Sequence, residues 1–162
     1  MGTCLIVANQ TLVGEELLAE VARRIADGQN QFYVVVPATP VPRALAWEEV
    51  ESLRAARQRL DLILEWLRVR GAEAAGEIGD RDPVAAARDA LRRRPADQII
   101  LSTLPIGRSR WIGQDVPSRL RAAVPRPIQV ITAAHHSAGM LVGDAALAPL
   151  DGERAARGAA VS

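Results

Sequence analysis

Residues 4–8 of the chain read CLIVA, a short apolar run that includes the β-branched pair Ile6 and Val7. A run of this kind is too short for a helix and predicts a strand buried on both faces of a parallel sheet. Three similar runs predict further buried strands, and a weaker one predicts a strand at an edge of the sheet. In chain order these runs are FYVVV at 32–36, the weaker AEAAGEI at 72–78, QIILS at 98–102 and IQVIT at 128–132.

Helical patterns separate these strands. Residues 15–27 place apolar side chains on one face and precede Gly28, a residue that favours the C-terminal end of a helix. A longer pattern over residues 47–70 predicts a second helix, whose apolar face includes Val50 and Leu53. Each of these helices follows a strand, which is the arrangement of a crossover between parallel strands.

Two more helices are indicated by their first residues. Asp82 and Pro83 have the chemistry of an N-cap and a first helical turn, so a third helix is predicted there, ending before Pro95. A fourth helix begins at Asp115 and is predicted to point Ala123 toward the core. The alternation of strands and helices predicts right-handed crossovers, and therefore an open α/β sheet with helices on both faces.

Composition narrows the class of protein. The chain has 162 residues, 49% of them hydrophobic, which suits one compact domain with a single core. Its 20 basic residues, all arginine, are nearly balanced by 19 acidic ones, and this argues against a nucleic-acid or membrane-surface binder. The lone cysteine, Cys4, lies in an apolar run and is expected to be an inert thiol in a reducing compartment. The first ten residues lack a leader pattern, so we expect a soluble, cytoplasmic protein.

The C-terminal part of the chain has a different character. Residues 135–162 are rich in alanine and glycine and show no sustained helical or strand period. We therefore predict an α/β domain over residues 1–134 and a mobile tail over residues 135–162. His135 and His136 begin this tail, but adjacent histidines point in different directions on regular structure, so no metal site is predicted.

Five segments resemble, in order, the strand ends and helix starts of one known family: LIVANQT at 5–11, VVVPAT at 34–39, EIGDRDPVAAARDAL at 77–91, ADQIILST at 96–103 and AVPRPIQVI at 123–131. Over residues 3–132 the chain resembles the universal stress protein family. The resemblance implies the adenine nucleotide alpha hydrolase-like fold, with five parallel strands in the order 3-2-1-4-5. It also implies a homodimer formed along the fifth strand.

The chain departs from this family at the phosphate-binding glycines. Members that bind ATP carry a glycine at the fourth strand, a second glycine soon after it, and then Gly-Ser or Gly-Thr. In this chain Leu101, Leu104 and the pair Gln114-Asp115 stand at those positions. Glycine lets backbone N–H groups approach phosphate oxygens closely. Its loss argues against ATP held in the family's manner and leaves another nucleotide, or a smaller anion, as the ligand.

The strand order predicts where a ligand binds. Order 3-2-1-4-5 reverses between the first and fourth strands, and open α/β sheets bind ligands in the crevice at the carboxyl ends of such strands. Arg108 and Arg110 flank Ser109 in a loop that enters this crevice, and two guanidinium groups are suited to grip an anion. The alternative is that both arginines are solvated or pair with acids such as Asp115, while Trp111 covers the sheet edge. The predicted ligand-binding residues are Asn9, Thr11, Pro37, Thr39, Ser102, Thr103, Gly107, Arg108, Ser109, Arg110 and Gly113.

Three functions fit these observations. The first is a non-catalytic module of the universal stress protein type that binds a nucleotide or another anion, or signals its presence. The second is an interaction scaffold without a ligand, acting through its dimer surface and its tail. The third is an enzyme of the nucleotide-hydrolase-like group, although the chain shows no acid/base pair or nucleophile motif with assignable roles.

Overall fold

The fold is an all-parallel sheet of five strands in the order β3-β2-β1-β4-β5. The computed structural model describes residues 2–39, 46–105 and 109–134, and for Arg110 the backbone alone. The predicted tail over residues 135–162 lies outside the described residues. The strands are β1 (Thr3–Val7), β2 (Gln31–Pro37), β3 (Glu73–Gly79), β4 (Gln98–Thr103) and β5 (Ile128–Thr132).

Helices connect the strands. Asp82 caps α3, since its carboxylate accepts the N–H of Ala85, as the sequence predicts. The single-turn helix α4 lies in a segment that the sequence predicts as loop. The helices are α1 (Glu15–Ala26), α2 (Ala46–Val69), α3 (Pro83–Arg93), α4 (Arg110–Gly113) and α5 (Val116–Ala123). Among the described helices, none is both long enough and apolar enough to cross a membrane.

The central position of β1 confirms the predicted strand order. Val7 pairs with Val35 of β2 on one side and with Leu101 of β4 on the other. Successive side chains of β1 enter opposite faces of the sheet, so Ile6 joins the core beneath α1 and α2, whereas Leu5 joins the core beneath α3 and α5. The strand is therefore buried on both faces.

The apolar face of α2 differs from its prediction. Its buried face begins at Ala56 and continues through Leu60, Ile63 and Leu67, whereas Val50 and Leu53 are 53% and 42% exposed. No residue between 46 and 55 is buried, so the first turns of this helix do not pack on the sheet. The apolar period in the sequence therefore includes the first turns of the helix, although these turns do not pack on the sheet.

The inward face of α5 also differs by one position. Ala123 is exposed, and the buried side chains are Val116, Leu120 and Val124. These three residues are four apart, which is the spacing of one helix face. The apolar face is thus completed by the C-cap residue and not by the last helical residue.

Strand β3 lies so close to its neighbours that a side chain is excluded at Gly76. A Cβ atom there would lie 2.5 Å from the carbonyl oxygen of Val34 and 2.7 Å from Cδ1 of Leu60. The first of these atoms belongs to the backbone of β2 and the second to α2. Glycine at this position therefore lets the helix, the edge strand and β2 pack together.

Replacing Gly76 by alanine is expected to destabilise the fold by about 1–3 kcal/mol, because the added methyl group must displace backbone. Urea unfolding monitored by circular dichroism measures this change. Gly113→Ala is the matched control, since a Cβ at Gly113 meets nothing within 4 Å. Equal stability of the two variants would show that the packing around Gly76 is loose.

Candidate functional site

A cleft of about 120 Å³ opens at the carboxyl ends of β1, β2 and β4. Asn9 and Thr11 follow β1, Thr39 follows β2, and Ser102 and Thr103 end β4. Because all strands are parallel, these polar residues meet at one edge of the sheet. The cleft is lined by Asn9, Gln10, Thr11, Pro37, Ala38, Thr39, Arg81, Ser102, Thr103, Leu104, Ser109, Trp111 and Gln114.

The structure brings most of the predicted site residues together. Gly107 and Arg108 lie outside the described residues, as does the side chain of Arg110. Gly113 ends α4, is exposed and does not line the cleft. The predicted residues that line the cleft are Asn9, Thr11, Pro37, Thr39, Ser102, Thr103 and Ser109. Their role in binding a ligand stays a prediction.

Sequence reasoning missed several cleft residues. Arg81 follows β3, whose carboxyl end lies at the same edge, and it forms an exposed ion pair with Glu49 at 2.5 Å. Trp111 packs against the core beneath α3 and α5 and also lines the cleft, so it is more than a cover for the sheet edge. The position of Arg81 after an edge strand was the available signal. The residues missed are Gln10, Ala38, Arg81, Leu104, Trp111 and Gln114.

The side chain of Asn9 is held by three hydrogen bonds. Its Nδ2 donates to the carbonyl oxygen of Pro37 and to Oγ1 of Thr39, both at 2.8 Å. Its Oδ1 accepts from Nη1 of Arg59 at 3.0 Å. Both protons of the amide are used, so this side chain ties β1 to β2 and has no free donor for a ligand.

Two hydroxyl groups pair across the next strands. Oγ1 of Thr11 and Oγ of Ser102 lie 2.8 Å apart, and both residues are buried. A hydroxyl carries one proton, so one of the two donates to the other. The proton of the accepting hydroxyl then remains available to the cleft.

Thr103 carries a buried polar atom without a partner. The residue is 1% exposed, and its Oγ1 is the one buried side-chain oxygen or nitrogen without a hydrogen bond among the described residues. A buried hydroxyl left unpaired costs roughly 1–3 kcal/mol. Such atoms are uncommon in folded proteins and call for an explanation, and the residue that carries this one lines the cleft.

Arg81 is the charged residue among the described residues that line the cleft, and its guanidinium pairs with the carboxylate of Glu49. Among the described residues, those that line the cleft include no aspartate or glutamate. Behind them, Arg59 is half-buried, and loss of hydration lowers the pKa of its guanidinium. Within the described ranges, no three histidine, cysteine, aspartate or glutamate side chains are grouped so that they could hold a metal ion.

Solved structures of universal stress proteins share this architecture. A universal stress protein family protein from Burkholderia pseudomallei matches with a TM-score of 0.57 at 18% identity, over 80% of this chain and 94% of that one. A universal stress protein in complex with cAMP matches at 0.52 and 15%, over 82% and 97% of the two chains. A family protein from Arabidopsis thaliana with AMP bound matches at 0.50 and 12%, over 86% and 97%.

These likenesses show that the chain has the universal stress protein fold, which confirms the fold that the sequence predicts. No protein-family model matches the chain, and no curated protein matches its sequence.

Thr103→Val is expected to leave the ligand-free protein equally stable, or to stabilise it by about 1 kcal/mol, because it removes a hydroxyl that has no partner. Chemical denaturation of both proteins tests this. Thr11→Val is the matched comparison, and it should destabilise the protein by about 1 kcal/mol because it takes away the partner of the Ser102 hydroxyl. A larger loss from Thr103→Val than from Thr11→Val would mean that the Thr103 hydroxyl is satisfied in solution.

Proposed function

We propose that this chain, which has the universal stress protein fold, is a non-catalytic module that binds a nucleotide or another small anion in the cleft. The observation that carries the proposal is the buried, unpartnered hydroxyl of Thr103. A ligand oxygen in the cleft would accept its proton and recover the energy lost by burying it. The unpaired hydroxyl thus lowers the stability of the ligand-free protein, and a bound ligand would offset that loss.

Further donors support a ligand rich in acceptor atoms. The pair of Thr11 and Ser102 leaves one proton over, and Oγ1 of Thr39 accepts from Asn9, so its own proton is directed elsewhere. No described residue accepts that proton. Together with the guanidinium of Arg81, these groups offer donors to phosphate, carboxylate or ribose oxygens.

The cleft also has an apolar part to its lining. It is formed by Leu104, Trp111, Ala38 and Pro37. The indole of Trp111 offers a flat surface on which a planar ring stacks. A nucleotide combines such a ring with an anionic group, and structures of the same fold hold cAMP and AMP. This combination favours a nucleotide over other anions.

The lining groups favour binding over chemistry. Hydroxyls, amides, an arginine and an indole line the cleft, and none of these exchanges a proton near neutral pH. Such groups hold and orient a ligand. In such a sensor module, the signal would be whether a ligand is bound in the cleft.

The ligand is expected to carry few phosphates. Leu104 and Gln114 occupy cleft positions where ATP-binding members have glycine, and Asp115 stands before α5 with a left-handed backbone, at φ 52° and ψ 40°. An aspartate at a helix N-terminus opposes a polyphosphate. We therefore expect a nucleoside monophosphate to bind more tightly than ATP.

A thermal-stability panel tests the proposed function. AMP, cAMP, ATP, ribose 5-phosphate and citrate are each added to the full chain, and AMP or cAMP is expected to stabilise it most. A ligand at one hundred times its Kd contributes about 2.7 kcal/mol. Thr103→Val should weaken that ligand about tenfold through loss of one hydrogen bond, and the Arg108→Ala, Arg110→Ala double variant tests the predicted anion loop.

Ser118→Ala, at an exposed position of α5, is the matched control and should bind as wild type does. A wild-type protein that no member of the panel stabilises would overturn the proposed function.

The outer edge of β5 supports the predicted homodimer. The N–H of Ile99 donates to the oxygen of Pro127, and the N–H of Ala133 donates to the oxygen of Thr103. Odd-numbered residues thus pair with β4, so the N–H groups of Ile128, Val130 and Thr132 face outward. An edge of this kind pairs readily with another strand, and a second copy related by a two-fold axis would supply it.

Thr132→Pro is expected to convert a wild-type dimer into a folded monomer, because proline removes an outward N–H while the bonds to β4 remain. Light scattering after size exclusion gives the mass, and Thr132→Ala is the control that keeps the N–H. A monomeric wild type, or a dimeric Thr132→Pro, would refute pairing through β5.

A further inference from the structure

Arg59 is a half-buried cation behind the cleft. It lies on α2, where its Nη1 donates to Oδ1 of Asn9, and no carboxylate among the described residues pairs with it. Burying an unpaired charge is costly, and the lowered pKa of its guanidinium reflects this cost. The charge is close to the cleft, because Asn9 lies between them.

The orientation of the Asn9 amide follows from its neighbours. A guanidinium only donates and a carbonyl only accepts, so Oδ1 must face Arg59 and Nδ2 must face Pro37. The second proton of Nδ2 then reaches Oγ1 of Thr39. The Thr39 oxygen therefore accepts from Asn9, and its own hydroxyl proton stays available as a donor to the cleft, which Thr39 lines.

We propose that Arg59 is a positioning residue that sets the charge preference of the cleft. Acting through Asn9, it orients Thr39 as a donor and adds positive potential, so that the site prefers an anion over its neutral analogue. This inference rests on the proposed function, because it needs a ligand in the cleft. Arg59 does not line the cleft, and neither a motif nor the residue spacing in the sequence points to it.

Each hydrogen bond in this series strengthens the next one. A cation withdraws electron density from the amide oxygen, which makes the Nδ2 protons better donors, and their bond to Thr39 makes its hydroxyl proton more acidic. A phosphate or carboxylate oxygen gains more from such a donor than a neutral oxygen does. Selection of the anion thus needs no direct contact with Arg59.

Three variants of Arg59 separate charge from position. Arg59→Lys keeps the charge, Arg59→Gln keeps a polar but shorter side chain without the charge, and Arg59→Met removes both charge and polarity. The probes are AMP and adenosine, which differ by the phosphate alone, and binding of each to the full chain is measured by calorimetry.

Arg59→Gln and Arg59→Met are expected to weaken AMP about fivefold to tenfold and to leave adenosine within about twofold. That is the size of effect that one charge exerts across about 10 Å of partly solvated protein. Arg59→Lys should retain most of the preference for AMP. Circular dichroism verifies that each variant is folded, and Arg59→Gln, which keeps a polar side chain at this position, covers the case in which Arg59→Met does not fold.

The outcomes are distinguishable. A loss confined to AMP in Arg59→Gln supports the inference. Equal losses for AMP and adenosine, or no loss for either, overturn it while leaving the proposed function intact. If wild type binds neither probe nor any member of the ligand panel, the proposed function is wrong and the inference falls with it.

Discussion

Burial of β1 on both faces is the constraint on which the rest of the structure depends. Cys4, Leu5, Ile6 and Val7 have no exposed surface, so strands must flank β1 on both sides and helices must cover both faces. Parallel strands cannot be joined by tight turns, and each pair needs a helical crossover. The consequence is that every strand ends at the same edge, and the polar residues after β1, β2 and β4 meet there.

At that edge, some polar side chains are used in hydrogen bonds within the protein, and others remain available to a ligand. The side-chain amide of Asn9 forms hydrogen bonds with Pro37, Thr39 and Arg59, and these bonds hold the strand ends together. Thr103, one strand away, is buried and has no hydrogen-bond partner among the residues that the structure describes. If this position contributed only to stability, a methyl group could replace the hydroxyl with little loss in the free energy of unfolding. Its presence in a cleft whose described lining residues include no carboxylate is the physical reason for proposing that a ligand binds at this edge.

Particular residues show how far prediction from sequence reached. The strands follow from apolar runs, and their order follows from the resemblance to the universal stress protein family. The convergence of Asn9, Thr11 and Ser102 follows from that order and from the geometry of parallel sheets. Val50 was wrongly placed on a buried face, because an apolar period records helical spacing and does not record whether anything packs against the helix. Sequence spacing also showed no basic neighbour for Cys4, yet Arg24 lies 3.6 Å from its sulfur; burial outweighs that charge and raises the pKa of the thiol to about 11.

The sequence by itself determined the class of fold, because short β-branched runs alternating with helical periods can bury their apolar atoms only as a covered parallel sheet. The resemblance of its segments to the universal stress protein family implied the strand order, and which loops meet follows from that order. Only the tertiary structure decided what each polar group does in the cleft. Arg59 is 50 residues from Asn9 in the chain, and Thr11 is 91 residues from Ser102. A hydroxyl or a charge is paired when such remote residues come within about 3 Å of each other. These distances cannot be predicted from the local sequence.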